Sequence, residues 1–336
     1  MTTVTEQTLP ILDLAKLQDP ATADEFLREL RRATGEFGFF YLVGHGVPDD
    51  LQAEIVEVAR QFFALPAEQK DAIDKLNSPH YRGYSRLGNE ITRGRRDERE
   101  QIDIASERSP LTDEHADWAT LVGPNQWPEA LPELRSVVER WRSELELVAR
   151  RLLGAWLVAL GQRTDLLDDI YDPPNELIKI VRYPAAKSGE STQGVGAHKD
   201  GGVLTLLFVE PGKGGLQVEK DGEWIDAPTV DGAFIVNIGE MLEVATDGVL
   251  KATVHRVVSR EDEGDRISVP YFFNPNYDTV FPTFELPSAY DGLRRGITQD
   301  PLNPIHPTYG FNVLKSRLRS HPDVAERHHP HLIGKY

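Results

Sequence analysis

From about Glu176 onward the chain breaks into short runs rich in Val, Ile, Leu and Phe, separated by Gly, Pro and Asp at intervals of about eight to twelve residues. Punctuation at that interval leaves room only for short strands joined by tight turns, the pattern of an antiparallel sandwich or barrel. The runs span 177–183, 203–209, 215–218, 224–225, 233–238, 253–258 and 267–273, with Asp221-Gly222 as a hairpin turn. The region before them reads differently. A strand-like segment at 9–14 precedes a helix that Thr22 or Asp24 can cap, with Phe26, Leu27, Leu30 and Ala33 at helical spacing until Gly35 and Gly38 end it. Residues 39–43 (FFYLV) read as a buried strand, and Pro48 opens a helix whose apolar face carries Leu51, Ile55, Val58, Ala59 and Phe62. The longest helix follows Pro132, with Leu134, Val137, Trp141, Leu145, Val148, Leu152, Ala155 and Ala159 in one stripe and Gly161 at its end. The expected architecture is α+β with a mainly β core, helices packed around it, and no internal repeat.

The chain has no cysteine among its 336 residues, which excludes disulfides, thiolate zinc sites, iron–sulfur clusters and cysteine nucleophiles. Any metal must therefore be held by nitrogen and oxygen. Fifty-four acidic against 37 basic residues give a net charge of −17, a field that repels phosphate backbones and anionic membrane surfaces, so neither a nucleic-acid nor a membrane partner is expected. No apolar run approaches the roughly 20 residues of a membrane helix, and MTTVTEQTLP lacks the marks of a secretion signal, so a cytoplasmic protein is expected. Nothing in the sequence speaks to its oligomeric state.

Among the histidines, His198 stands two residues before Asp200 in VGAHKDGG, just ahead of a strand. Alternate residues of an extended chain point to the same side, so the pair can reach one ion. His255, in the β-branched run ATVHRVV, can supply a third ligand. Two imidazoles and one carboxylate with open positions suit a non-haem Fe(II) oxygenase, and a hydrolytic zinc site would accept them as well. Arg266 and Ser268 (DRISVPYFF) also stand two apart on an apolar strand. A guanidinium projecting inward needs a partner, either a carboxylate ligand held by two parallel hydrogen bonds or an internal Asp or Glu.

The blocks AHKDGGVLTLLF, GGLQVEKDGEWIDAP, AFIVNIGEMLEVATDGVLKATVHRVV and RISVPYFFNP, in that order, resemble the isopenicillin N synthase-like family of Fe(II)/2-oxoglutarate-dependent dioxygenases. FGFFYLVGHGVP and IKIVRYP extend the resemblance over most of residues 8–320. It implies a double-stranded β-helix (jelly roll) fold and a single catalytic domain over 1–336. Within it would lie an N-terminal helix and strand region at 1–110, a jelly-roll core at 175–280, and a C-terminal helix and tail at 285–336. It further implies Fe(II) held by His198, Asp200 and His255. The distal carboxylate of 2-oxoglutarate would be bound by Arg266 and Ser268 and supported by Tyr183. The implied reaction consumes O2, releases succinate and CO2, and hydroxylates or otherwise oxidises a small organic substrate. In the matching strand some plant members carry Asn where this chain has Val181, so a polar contact from that position is absent.

Two other readings share these motifs. A 2-oxoglutarate-independent oxidase or oxidative cyclase of the same fold is one; the penicillin-forming members carry a C-terminal Gln that can ligate iron, and this chain has none after Gln299. A metabolite-binding sensor without turnover is the other, and the intact ligand set speaks against it.

The stretch 78–99, rich in Gly and Arg, reads as a long exposed loop. Within it Arg82 could pair with a substrate carboxylate beside Tyr84, or could be a surface Arg packed over that ring. Phe273 and Asn274 follow the Arg-x-Ser strand and could reach the substrate, with Phe273 equally suited to the core. His45 suits a turn histidine bonded to backbone. His328, His329 and His331 suit a flexible tail, and Gly212, Gly214 and Gly215 lack the residues of a phosphate loop.

Overall fold

Alternate residues of the central strands differ in chemistry, and that difference sets the layering. A computed structural model describes residues 8–111, 116–186, 193–260, 264–297 and 304–336. Along the strand Arg266–Asn274, Ile267, Val269, Tyr271 and Phe273 fall on one face, opposite Arg266, Ser268, Pro270, Phe272 and Asn274. Leu204–Val209 and Phe234–Ile238 repeat the alternation: Leu204, Leu206, Phe208, Phe234, Val236 and Ile238 join the first face, while Thr205, Leu207, Ile235 and Asn237 join the second. The first face packs against helices in one continuous core with Phe62, Trp141, Leu145 and Leu152.

These strands belong to an eight-stranded sheet. Its spatial order is Ile11–Asp13, Phe39–Val43, Phe234–Ile238, Leu204–Val209, Arg266–Asn274, Asn175–Tyr183, Glu100–Ala105 and Gly83–Ser85. Every pairing in it is antiparallel except that of the first two strands. A four-stranded antiparallel sheet, ordered Glu223–Asp226, Leu216–Lys220, His255–Val258 and Gln193–His198, faces its second side. Val181, Tyr183 and Val209 of the large sheet meet Val195, Leu216, Val218 and Val257 of the small one in a separate apolar cluster. Two facing antiparallel sheets with a filled interior are the jelly roll that the resemblance implies.

The helix Glu133–Ala159 starts after Pro132, and buries the expected stripe apart from Ala159. It lies with Ala23–Glu36 and Asp49–Ala64 on the outer face of the large sheet. The Asp221-Gly222 turn joins a two-residue hairpin with both residues at positive φ, 54° and 87°.

Two expectations fail. The stretch 78–99 is not an exposed loop throughout: Tyr81, Arg82, Tyr84, Glu90 and Asp97 are buried in it, with Glu90 and Asp97 paired to cations inside the protein, while Arg86, Leu87 and residues 93–96 stay exposed. Nor is the tail loose. The helices Tyr309–Ser320 and Pro322–His328 fold back on the body, and His328 and His329 bond to the carbonyls of Leu76 and Pro79 at 2.8 and 2.6 Å. His45 does bond local backbone, accepting from the Val47 amide at 3.0 Å, and also reaches the Gly232 carbonyl at 2.7 Å. Gln299 lies outside the described residues. Among the described residues no helix is long and apolar enough to cross a membrane.

Candidate active site

His198 ends its strand and His255 begins the neighbouring one, and the two are direct partners in the register. Their rings lie 4.3 Å apart between centroids. Asp200 follows in a turn that would splay without support. Three backbone hydrogen bonds hold that turn to the start of the helix Glu240–Ala245: Gly239 to Val203 at 2.9 Å, Glu240 to Asp200 at 2.8 Å, and Met241 to Gly202 at 3.0 Å. Such close approach requires glycine, since a Cβ on Gly239 would sit 2.2 Å from the Gly202 carbonyl oxygen.

The side chains are set for a cation. One ligand atom from each of His198, Asp200 and His255 lies within 4.8 Å of the others. Asp200 Oδ1 stands 3.6 Å from His198 Nε2 and 3.8 Å from His255 Nε2. Asp200 Oδ2 is occupied, accepting from Thr205 Oγ1 at 2.6 Å and Asn237 Nδ2 at 2.7 Å. Each imidazole bonds through Nδ1 to a carbonyl, His198 to Gly196 at 2.8 Å and His255 to Thr253 at 3.1 Å. Nδ1 must therefore carry the proton, and the Nε2 lone pairs face the shared centre. Burial, then the neighbouring His198, pulls His255 down to about 4, which keeps it neutral. Burial opposes ionisation of Asp200, but the His198 and His255 imidazoles beside it and the hydrogen bond from Thr205 outweigh it and hold the carboxyl well below its usual range. Two imidazoles with Nε2 turned to the shared centre and one ionised carboxylate fit ferrous iron with positions left open.

These ligands line a cavity of about 1190 Å³. Arg266 and Ser268 point into it from the large sheet. Arg266 pairs in register with Tyr183, and its guanidinium lies 4.9 Å from the centre of that ring. Both residues are buried. The inward residue opposite Ser268 is Val181, which is apolar and buried.

Residues 9–130 match the family described as non-haem dioxygenase in morphine synthesis N-terminal, and residues 174–275 match the 2OG-Fe(II) oxygenase superfamily. A 2-oxoglutarate-dependent dioxygenase, frbJ, of Dothideomycetidae sp. (strain 11243) is 35% identical over 95% of this chain and 91% of its own length. The chain belongs to the 2OG-Fe(II) oxygenase superfamily. A homoarginine-6-hydroxylase of Glycine max is 36% identical over 81% of this oxygenase and 87% of the relative. The solved structure of JOX2 in complex with 2OG, Fe and JA superimposes with a TM-score of 0.72 at 26% identity, covering 96% of this chain and 89% of that one. This oxygenase is thus an oxidoreductase, a 2-oxoglutarate-dependent dioxygenase with Fe(II) as its metal.

The residues read as substrate contacts divide. Arg82 lines the cavity, although it is buried and not a surface residue. Tyr84 does not line it: its ring packs on Phe62, its hydroxyl donates to Glu100, and Lys70 lies 5.3 Å from the ring centre. Phe273 faces the helices, stacked on Tyr171 with centroids 4.8 Å apart, and Phe272 takes the inward place. Asn274 lines the cavity, but its Oδ1 accepts from the Val203 amide at 2.8 Å, so it braces the turn after Asp200. Sequence reasoning missed Thr205 and Asn237, the donors that orient Asp200. The signal was present, since each is a polar residue at an inward position of an otherwise apolar strand.

Proposed function

We propose that this dioxygenase hydroxylates a C–H bond of a small organic molecule, with His198, Asp200 and His255 holding ferrous iron and Arg266, Ser268 and Tyr183 holding the distal carboxylate of 2-oxoglutarate. The observation that carries this reading is that one cavity is lined both by the His–Asp–His set and by the inward pair Arg266 and Ser268 on the opposite sheet. Hydroxylation, rather than desaturation or cyclisation, is supported by the relatives named homoarginine-6-hydroxylase. The net charge of −17 supports a small molecule over a phosphate-bearing polymer as substrate.

Bound there, iron and 2-oxoglutarate would supply dioxygen activation, with release of succinate and CO2. The chain's own residues prepare the place. Thr205 and Asn237 occupy one oxygen of Asp200 and leave the other for the metal. The carbonyls of Gly196 and Thr253 fix the tautomers of the two histidines. Arg266 offers a planar fork that matches a carboxylate and, with Ser268, orients the co-substrate's far end. Phe39, Leu207, Leu216 and Val257 line the same cavity and limit water around the reacting groups.

The test is succinate formation from 2-oxoglutarate with Fe(II) supplied, in the wild type and in Asp200→Ala. Succinate should depend on iron and vanish in the variant. Unchanged succinate in Asp200→Ala would remove the carboxylate from the site, and substrate oxidation without 2-oxoglutarate would make this an oxidase of the same fold.

A further inference from the structure

One wall of the cavity lies away from the proposed metal ligands, at the edge of the large sheet, and its charges do not balance. Lys179 stands on the strand third from that edge, opposite Asp103 of the next strand. Counting across the sheet from Thr205, the strand of Lys179 is the second neighbour, a lateral step of about 10 Å. Around Lys179 gather Lys75, Arg99, Arg317, Glu90, Asp97, Asp103 and His321. Asp103 accepts Arg317 at 2.7 Å, Lys75 at 3.3 Å and Lys179 at 3.7 Å. Glu90 takes Lys75 at 3.3 Å, Lys179 at 3.4 Å and Arg99 as well. Asp97 takes Arg99 at 3.2 Å. His321 adds no charge, because burial and then Lys75 pull it down to about 4.

Arg82 is the remaining cation, and it is only 3% exposed. Its guanidinium donates to the carbonyls of His80 at 2.8 Å and Leu121 at 2.7 Å, and it also meets the Tyr277 hydroxyl. None of these neutralises it. Among the described residues no Asp or Glu forms an ion pair with Arg82, and its buried Nε makes no hydrogen bond. The enclosed cluster thus holds five cations, Lys75, Arg82, Arg99, Lys179 and Arg317, against three carboxylates, Glu90, Asp97 and Asp103. Burial draws Lys179 down to about 8 despite Asp103 and Glu90, in keeping with positive charge in surplus.

This pattern argues against a second metal at Glu90, Asp103 and His321, whose ligand atoms also lie within 4.8 Å of one another. Lys75, Arg99, Lys179 and Arg317 already take up both carboxylates, and another cation would deepen the imbalance. An anion would relieve it. Arg82, Lys179, Arg317 and Arg99 all line the cavity shared with the proposed iron ligands, so the anion can belong to the molecule being oxidised.

We propose that the sheet-edge end of the cavity, formed by Arg82, Lys179 and Arg317, docks a carboxylate of the organic substrate, separated by several bonds from the carbon presented to the metal. This rests on the functional reading above and narrows its substrate class to small organic acids. Arg82, which pairs with no carboxylate among the described residues, supplies the charge that recognises the carboxylate, and Lys179 adds a charge-assisted hydrogen bond.

The experiment titrates straight-chain carboxylates from butanoate to dodecanoate, and the matching primary amides, into the protein by calorimetry. Titrations are run with Fe(II) and 2-oxoglutarate under anaerobic conditions and repeated without them. At least one acid should bind about tenfold or more tighter than its amide. That preference should disappear in Arg82→Met, persist in Arg266→Gln, and return in part in Arg82→Lys. Should Arg82→Met not fold, Lys179→Met and Arg82→Lys carry the comparison, each lowering the acid preference and leaving amide binding unchanged. Equal binding of every acid and its amide overturns the proposal, as does a preference abolished by Arg266→Gln and untouched by Arg82→Met. Failure of the iron and 2-oxoglutarate site is seen separately, as loss of the visible charge-transfer band of the ferrous co-substrate complex.

Discussion

Two buried clusters of charge sit in one cavity, and they are built in opposite ways. At the His–Asp–His end Asp200 meets two imidazoles and accepts from Thr205 and Asn237 through one oxygen only, an arrangement that leaves the other oxygen for a cation from outside. At the sheet edge Glu90 and Asp103 are saturated by lysines and arginines of the chain itself. The first cluster is left open toward the cavity. The second holds together segments that are far apart in sequence, since Lys75 meets His321 across 246 positions and Arg317 meets Asp103 across 214.

The sharpest way to break this comparison is to remove one carboxylate from each end. Asp200→Ala should abolish turnover and lower the unfolding free energy of the metal-free protein by less than the loss of Glu90 does, as Asp200 accepts from Thr205 and Asn237 rather than from lysine or arginine. Glu90→Ala should lower it by about 3–5 kcal/mol in denaturant unfolding, because buried cations lose their partner. Similar stability losses in the two variants would erase the distinction. A second effect concerns pH. His321 titrates near 4 in the fold and near 6.5 in the unfolded chain, so the unfolded state binds the extra proton between those values. Stability is therefore complete above about pH 6.5 and falls by at most about 3 kcal/mol as pH drops to 4. His321→Gln should flatten that slope by about one proton, read from unfolding midpoints at several pH values.

Smaller effects refine the functional end. Arg266→Gln should raise the KM for 2-oxoglutarate by about 10- to 100-fold while leaving iron affinity unchanged, measured by succinate kinetics and metal titration. Thr205→Val removes one donor from Asp200 and should weaken iron binding by about tenfold, with little change in 2-oxoglutarate affinity once iron is saturating.

The same contrast explains what could be read from the sequence. His198 and Asp200 are neighbours in the chain, and His255 and Arg266 lie on strands with strong apolar alternation, so local pattern was enough to find them. Even the place of Phe273 was legible: with Arg266 facing inward, strand parity puts Phe272 and Asn274 inside and Phe273 outside. The strand Gln193–His198 was hidden because Gly194 and Gly196 weaken its strand character. Packing demands those glycines, as a Cβ on either would come within 2.8 Å of Tyr183 or Thr92. The sheet-edge cluster left little local trace. Apart from Lys179 and Asp103, which stand in apolar strands, its members come from segments whose composition reads as solvated surface, and only tertiary pairing makes them interior.

Strand parity also bears on how such a protein can change over generations. One residue inserted or deleted within Arg266–Asn274 would trade Arg266 and Ser268 for the greasy face and turn charge toward the helices, undoing the cavity wall and the core in a single step. That strand can drift only by exchanging one side chain for another. The stretch bearing Arg82 holds only short strands, Gly83–Ser85, Ile91–Thr92 and Arg95–Arg96, with turns between them. Length changes there leave the central ladder in place, so new substrate preferences have room to arise at that end while the oxidative chemistry is inherited intact.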